Sequence, residues 1–204
     1  NEYIERPGWK RCFQMPDGTI YFYGHQKSVD GGKTLVPQHE VNVEAIVGSP
    51  EVAVLAKKNV FYAVKGTAEI IEPGLYRVRG WRSTNGLASL QEEEVIVKVP
   101  DGPRVDKGGW WGIHVYRTII EMPDGSWLMT MYGNFTEDTI PPVNEDALRE
   151  GVKSGMTRSF VVKSTDRGHT WNYLSTIAKP LRQVNPIGEG FGEPAITLLN
   201  DGRL

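Results

Sequence analysis

The chain has 204 residues, a formal net charge of −2, six tryptophans, eight tyrosines and one cysteine, Cys12. That length supports one or two domains with a substantial core. A near-neutral mixed surface excludes nucleic acid as an expected partner, no apolar run reaches bilayer length, and a single thiol excludes internal disulfides. The first residue is Asn1, which suggests a removed leader or a piece of a longer chain. The chain stops at Leu199-Asn200-Asp201-Gly202-Arg203-Leu204. A turn followed by only the start of a strand predicts a partial chain.

In chain order, the first unit spans residues 1–47 and contains Met15-Pro16-Asp17-Gly18 and Ser28-Val29-Asp30-Gly31-Gly32-Lys33-Thr34-Leu35. Only about nine residues separate Gly18 from Ser28, too few for two strands and a turn of ordinary length, so this unit is expected to lack a strand. The second unit, 48–100, predicts strands over Glu51–Ala56, Val60–Val64, Leu75–Trp81 and Glu94–Val99. In it Ser83-Thr84-Asn85-Gly86 preserves only a turn. The third unit, 108–178, predicts strands over Val115–Met122, Trp127–Tyr132, Arg158–Lys163 and Trp171–Ile177, with a helix over Asn144–Lys153 inside a long insertion. Residues 189–204 open a fourth unit.

The third unit carries Ser164-Thr165-Asp166-Arg167-Gly168-His169-Thr170-Trp171, an S-x-D-x-G-x-T-W run. Ser164 and Asp166 can bond neighbouring amides in a turn, Gly168 supplies a positive φ, and Trp171 can bury its ring behind the turn. The three box-like sites lie about 55 and about 80 residues apart, a repeat spacing. The run resembles the Asp-box, or bacterial neuraminidase repeat, of the sialidase superfamily. That resemblance implies an all-β fold, a β-propeller of four-stranded antiparallel blades, of which the chain would cover about three to four.

Topology then separates two faces. The Asp-box joins the third and fourth strands and shares a face with the Pro-Asp-Gly turn. The opposite face gathers Tyr116 and Arg117, the Asn134–Thr157 insertion, and Gly192-Glu193-Pro194. Tyr116-Arg117-Thr118-Ile119 resembles the Arg-Ile-Pro region of sialidases, with Thr118-Ile119 where the family has Ile-Pro. The resemblance implies that Arg117 grips a substrate carboxylate with its planar fork. It also implies a general acid in the segment that offers Glu137, Asp138, Glu145 and Asp146, with Asp138 the choice among them, in retaining hydrolysis with a Tyr nucleophile. Glu193 corresponds either to the acid beside that Tyr or to a mainly structural strand-opening acid of an earlier blade. Trp111 offers a face for sugar stacking.

The expected partner is a carbohydrate, a glycoside with an acidic sugar. No cofactor is implied, and His25, His39, His114 and His169 have no metal-ligand spacing. Asn134-Phe135-Thr136 reads as a glycosylation sequon. A secreted or periplasmic setting follows from the resemblance alone. Two alternatives stay open: a non-catalytic Asp-box propeller that binds or scaffolds, and another glycosidase or polysaccharide lyase on the same fold. A partial ring exposes broad apolar faces, which predicts self-association, with two copies closing the propeller.

Overall fold

The computed structural model describes residues 12–22, 26–39, 50–55, 60–65, 68–100, 113–135, 137–138, 157–179 and 190–204. The described residues are all-β, and no helix among them is long and apolar enough to cross a membrane. Strands β1 (Cys12–Gln14), β2 (Ile20–Phe22), β3 (Gln26–Ser28) and β4 (Val36–Pro37) form an antiparallel four-stranded sheet in sequence order. The expectation of a missing strand is therefore corrected: three-residue strands and a short connection fit between Gly18 and Ser28.

The remaining strands are β5 (Pro50–Leu55), β6 (Val60–Lys65), β7 (Glu69–Glu72), β8 (Leu75–Ser83), β9 (Gln91–Lys98), β10 (Ile113–Glu121), β11 (Trp127–Gly133), β12 (Arg158–Ser164) and β13 (Thr170–Ala178). They form one sheet in the order β10-β11-β12-β13-β9-β8-β6-β5, with β7 paired to β8. It contains two antiparallel meanders, β5-β6-β8-β9 and β10-β11-β12-β13. A short parallel pairing of Thr170–Asn172 with Ile96–Lys98 joins them. At the other edge β10 lies beside β5, so the sheet nearly closes on itself like a barrel. The helix expected over Asn144–Lys153 lies outside the described residues.

Period-two alternation explains the stacking. In β6, Val60, Tyr62 and Val64 enter one core while Phe61 and Ala63 enter another. A strand apolar on both faces is a strand covered on both faces. The larger core joins the two meanders: Tyr62, Tyr76, Val78, Val95 and Val97 meet Ile113, Val115, Trp127, Met129, Phe160 and Trp171. The smaller core packs Phe13, Met15 and Tyr21 from the first sheet onto Phe61, Ala63, Trp81 and Leu87. Each fully buried Val, Phe or Met side chain contributes about 1.5–3 kcal/mol, so these interfaces hold the sheets together.

All three Ser-x-Asp-like turns share one hydrogen-bond pattern. The serine hydroxyl lies 2.7, 2.9 and 2.8 Å from the Oδ1 of Asp30, Asn85 and Asp166 respectively. The amides of Gly32, Leu87 and Gly168 donate to that hydroxyl at 2.8, 3.0 and 2.8 Å. Thr34, Ser89 and Thr170 donate their amides to the same Oδ1 at 3.0, 3.1 and 2.9 Å. Each turn joins the third and fourth strands of its meander. Ser83 therefore opens a turn with the same set of bonds as those at Ser28 and Ser164, more than the bare turn expected.

The Ser164 turn of the β10-β11-β12-β13 meander is docked on the β5-β6-β8-β9 meander. Trp171 is fully buried, and its Nε1 donates to the Gly168 carbonyl at 3.0 Å. The Tyr62 hydroxyl donates to the same carbonyl at 2.7 Å, and burial pushes the pKa of its phenol up. Arg82 donates to the Arg167 carbonyl at 2.7 Å, lies over the Tyr62 and Trp127 rings, and forks onto Glu93 at 3.0 and 2.7 Å.

Candidate functional site

The strand register places one cluster of side chains at the end opposite these turns. At the box end, Glu121 faces Trp127 and Trp127 faces Ser164. At the other end, Ile113 faces Gly133, Gly133 faces Arg158, and Ser159 faces Ala178. The start of β10, the residues following β11 and the start of β12 thus meet there. The 190–194 segment joins them: the Phe191 amide donates to the Thr157 carbonyl at 2.8 Å.

Tyr116 and Arg117 sit in a bulge of β10. Val115 pairs with Met131 and Ile119 with Met129, so Tyr116, Arg117 and Thr118 together face Thr130. Bulges re-aim side chains and recur beside binding sites. Arg117 is placed by its backbone alone. Tyr116 is half-buried and meets Tyr132 edge-on, with centroids 5.6 Å apart and planes at 76°. His114 stacks on the same ring at 5.0 Å and 22°. The result is a three-ring ladder, His114–Tyr132–Tyr116, on the face away from the core. Trp111 lies outside the described residues.

Glu193 is exposed and has φ 54°, directly before Pro194. A non-glycine residue in the left-handed region costs about 1–3 kcal/mol and persists where its surroundings over-determine it. Gly192 packs beside Tyr132, where an added Cβ would lie 3.7 Å from the ring.

Asp138 is not a solvated loop acid. It is buried, and Arg158 forks onto it at 2.9 and 2.6 Å while also donating to Glu137 at 2.6 Å. The guanidinium lies 4.2 Å above the Phe135 ring, and the Lys179 ammonium is 3.6 Å from Asp138. Burial works against the charge of Arg158, but its bonds to Asp138 and Glu137 outweigh that and raise its pKa. The Arg158 hydrogen bond, with the Lys179 charge next, holds Glu137 below the usual carboxylate range. Both oxygens of Asp138 accept from one cation, so proton donation from Asp138 requires it to leave Arg158. Asn134, the acceptor of the sequon, is 4% exposed and does not present its amide for glycosylation.

Sequence reasoning singled out Tyr116, Arg117, Asp138 and Glu193 and missed His114, Thr130, Tyr132 and Arg158. An Asp-x-x…Arg pairing across 20 residues leaves no local pattern. The His114–Tyr132 pair is hidden by the bulge, because counting back from the Asp124-Gly125 turn sets Asn134 opposite His114. Among the described residues no group of three His, Cys, Asp or Glu side chains gathers to hold a metal ion.

No protein-family model matches this chain, and no curated protein matches it. Among solved structures, it is similar to a protein of unknown function from Dyadobacter fermentans at 17% identity, with a TM-score of 0.43. The similarity covers 80% of this chain and 45% of that one, so the chain spans less than half that protein's length.

Proposed function

We propose that this chain forms about three to four blades of a sialidase-type β-propeller and hydrolyses a glycoside bearing an acidic sugar. The observation that carries this reading is the set of three Ser-x-Asp-like turns with one hydrogen-bond pattern, each joining the third and fourth strands of its meander. The aromatic ladder at the opposite end supports it further, because sugar rings stack on aromatic faces. Arg117 would take the substrate carboxylate with its fork. Glu193 would accept the proton of a nucleophilic phenol, and Asp138 would protonate the leaving oxygen once freed from Arg158. Trp111 would add stacking surface. The reaction needs only water and no cofactor.

The test is turnover of a fluorogenic sialoside and a panel of other aryl glycosides, with Arg117→Ala alongside. We expect the substitution to lower kcat/KM by about a hundredfold, in line with loss of one charge-stabilising donor. No turnover on any substrate, or turnover indifferent to Arg117, sinks the hydrolytic reading.

One observation favours a second reading, a propeller that binds glycans without hydrolysing them: Asp138 is already neutralised by Arg158. That reading expects sialoside binding by calorimetry with no product. A second copy is the protein partner that either reading implies, since among the described residues β4 ends its sheet, with Val36 exposed. Light scattering that shows a stable monomer at high concentration counts against it.

A further inference from the structure

Two buried hydroxyls, one on β11 and one on β12, reach the same crossing segment. Thr130 is fully buried, and its Oγ1 lies 2.7 Å from the Tyr116 carbonyl and 3.2 Å from the Pro194 carbonyl. One hydroxyl proton is thereby shared between the β10 bulge and the 190–194 segment. Ser159, 3% exposed, donates to the Phe191 carbonyl at 2.7 Å. The two bonds bracket Glu193, one at residue 191 and one at residue 194. Between them Glu193 holds a positive φ of 54°, a conformation that persists where its surroundings over-determine it. Neither hydroxyl is needed for the ladder of its own sheet, whose amides and carbonyls already pair in register from Trp127 to Gly133.

We infer that Thr130 and Ser159 are positioning residues of the site. They hold Glu193 in its left-handed conformation, and Thr130 ties it to the bulge that carries Arg117. The distance between a carboxylate-binding arginine and a proton-accepting glutamate is what such a site must keep constant, and a displacement of about 1 Å suffices to cost activity. This inference rests on the functional reading above for its link to substrate, but the mechanical part stands by itself.

The experiment has two arms on the full chain. In the first, hydrogen exchange is measured at the amides of residues 190–196 in wild type, Thr130→Val, Thr130→Ser and Ser159→Ala. Thr130→Val and Ser159→Ala should speed exchange there about tenfold, with Thr130→Ser near wild type because it keeps the hydroxyl. Unchanged exchange in both Thr130→Val and Ser159→Ala overturns the clamp. Thr130→Ser and Ser159→Ala guard against a Thr130→Val chain that does not fold.

The second arm measures turnover or binding of the fluorogenic sialoside and aryl glycosides. Thr130→Val should lower kcat about tenfold with a smaller change in KM, and Thr130→Ser should restore it. A merely structural hydroxyl would lower the amount of folded protein and leave both constants of the remainder unchanged, and that result overturns the positioning role. Faster exchange together with no binding of any glycoside by wild type removes the substrate reading and the positioning role, and leaves the hold on Glu193 confirmed.

Discussion

Leu87 occupies a left-handed position, φ 71°, where the other two boxes carry glycine at φ 89°. Each box has two such residues in succession: Gly31 and Gly32, Gly86 and Leu87, Arg167 and Gly168. Leu87 is tolerated because its side chain is 2% exposed and fills the smaller core. Burial worth about 1.5–3 kcal/mol offsets a conformational cost of about 1–2 kcal/mol. Gly168 and Gly18 separate backbone cost from crowding. Both have φ near 90°, but a Cβ at Gly168 would lie 2.8 Å from Trp127 Cζ3 and 2.9 Å from Tyr62 Cζ, whereas Gly18 faces open space. Gly18→Ala should cost about 1 kcal/mol in urea unfolding, and Gly168→Ala about 1–3 kcal/mol more. Equal costs would show that the rings yield freely.

At the scale of elements, the core and the parallel β9–β13 pairing that join the two meanders are supplemented by a few long side chains over one turn. The side chains of Arg82 and Glu93 are 12% and 16% exposed, and Arg82 also holds the Arg167 carbonyl. Replacing Arg82 by Met leaves Glu93 with its desolvation uncompensated, at a cost of about 2–4 kcal/mol. The double variant Arg82→Met, Glu93→Met should lose less than the sum of the single changes, measured as denaturant midpoints. Strict additivity would mean that the pair does not couple. By contrast, Arg77–Glu94 and Arg79–Glu92 on the outer face are half-exposed ion pairs, and their removal should stay within about 1 kcal/mol.

The strands and turns of these elements were legible because their causes are local. Asp17-Gly18, Asp124-Gly125 and Asp201-Gly202 form the same turn, with the Gly18, Gly125 and Gly202 amides donating three residues back at 2.9, 2.9 and 3.0 Å. The Ser83 box was hidden by Asn85 in place of Asp, Leu87 in place of Gly and Leu90 in place of Trp. Its bonds need only a side-chain oxygen and a serine hydroxyl, not the consensus letters. The three-residue strands of the first sheet were misread because a length prior stood in for pairing.

For the whole molecule, the turns give stability a defined dependence on acid. The hydroxyl and amide of Thr34, then Ser28, hold Asp30 well below the usual range. The hydroxyl and amide of Ser126 bring Asp124 to about 2. Burial works to raise Asp166, but bonds from Thr170 and Ser164 outweigh it and lower it. Each folded pKa lies below its unfolded value, so the contribution is complete above about pH 4 and is lost as pH falls through the folded values. Melting temperature should therefore hold near neutrality and drop from about pH 4 toward about pH 2. Asp166→Asn should be less stable than wild type at pH 7 and approach it at the acid end. A constant gap between the two across that range would show that Asp166 carries no linked proton.

The sequence by itself determined the all-β class, most strand positions and the turns, because alternation, Asp-Gly turns and Ser-x-Asp bonding act within about ten residues. Only the tertiary structure decided how the meanders close against each other and which groups share the far end. The β10 bulge shifts His114 onto Tyr132, Arg158 claims Asp138 across 20 residues, and hydroxyls on β11 and β12 bond the carbonyls of Pro194 and Phe191 on either side of Glu193. These contacts depend on register and on packing between distant segments, quantities that no local pattern in the chain encodes.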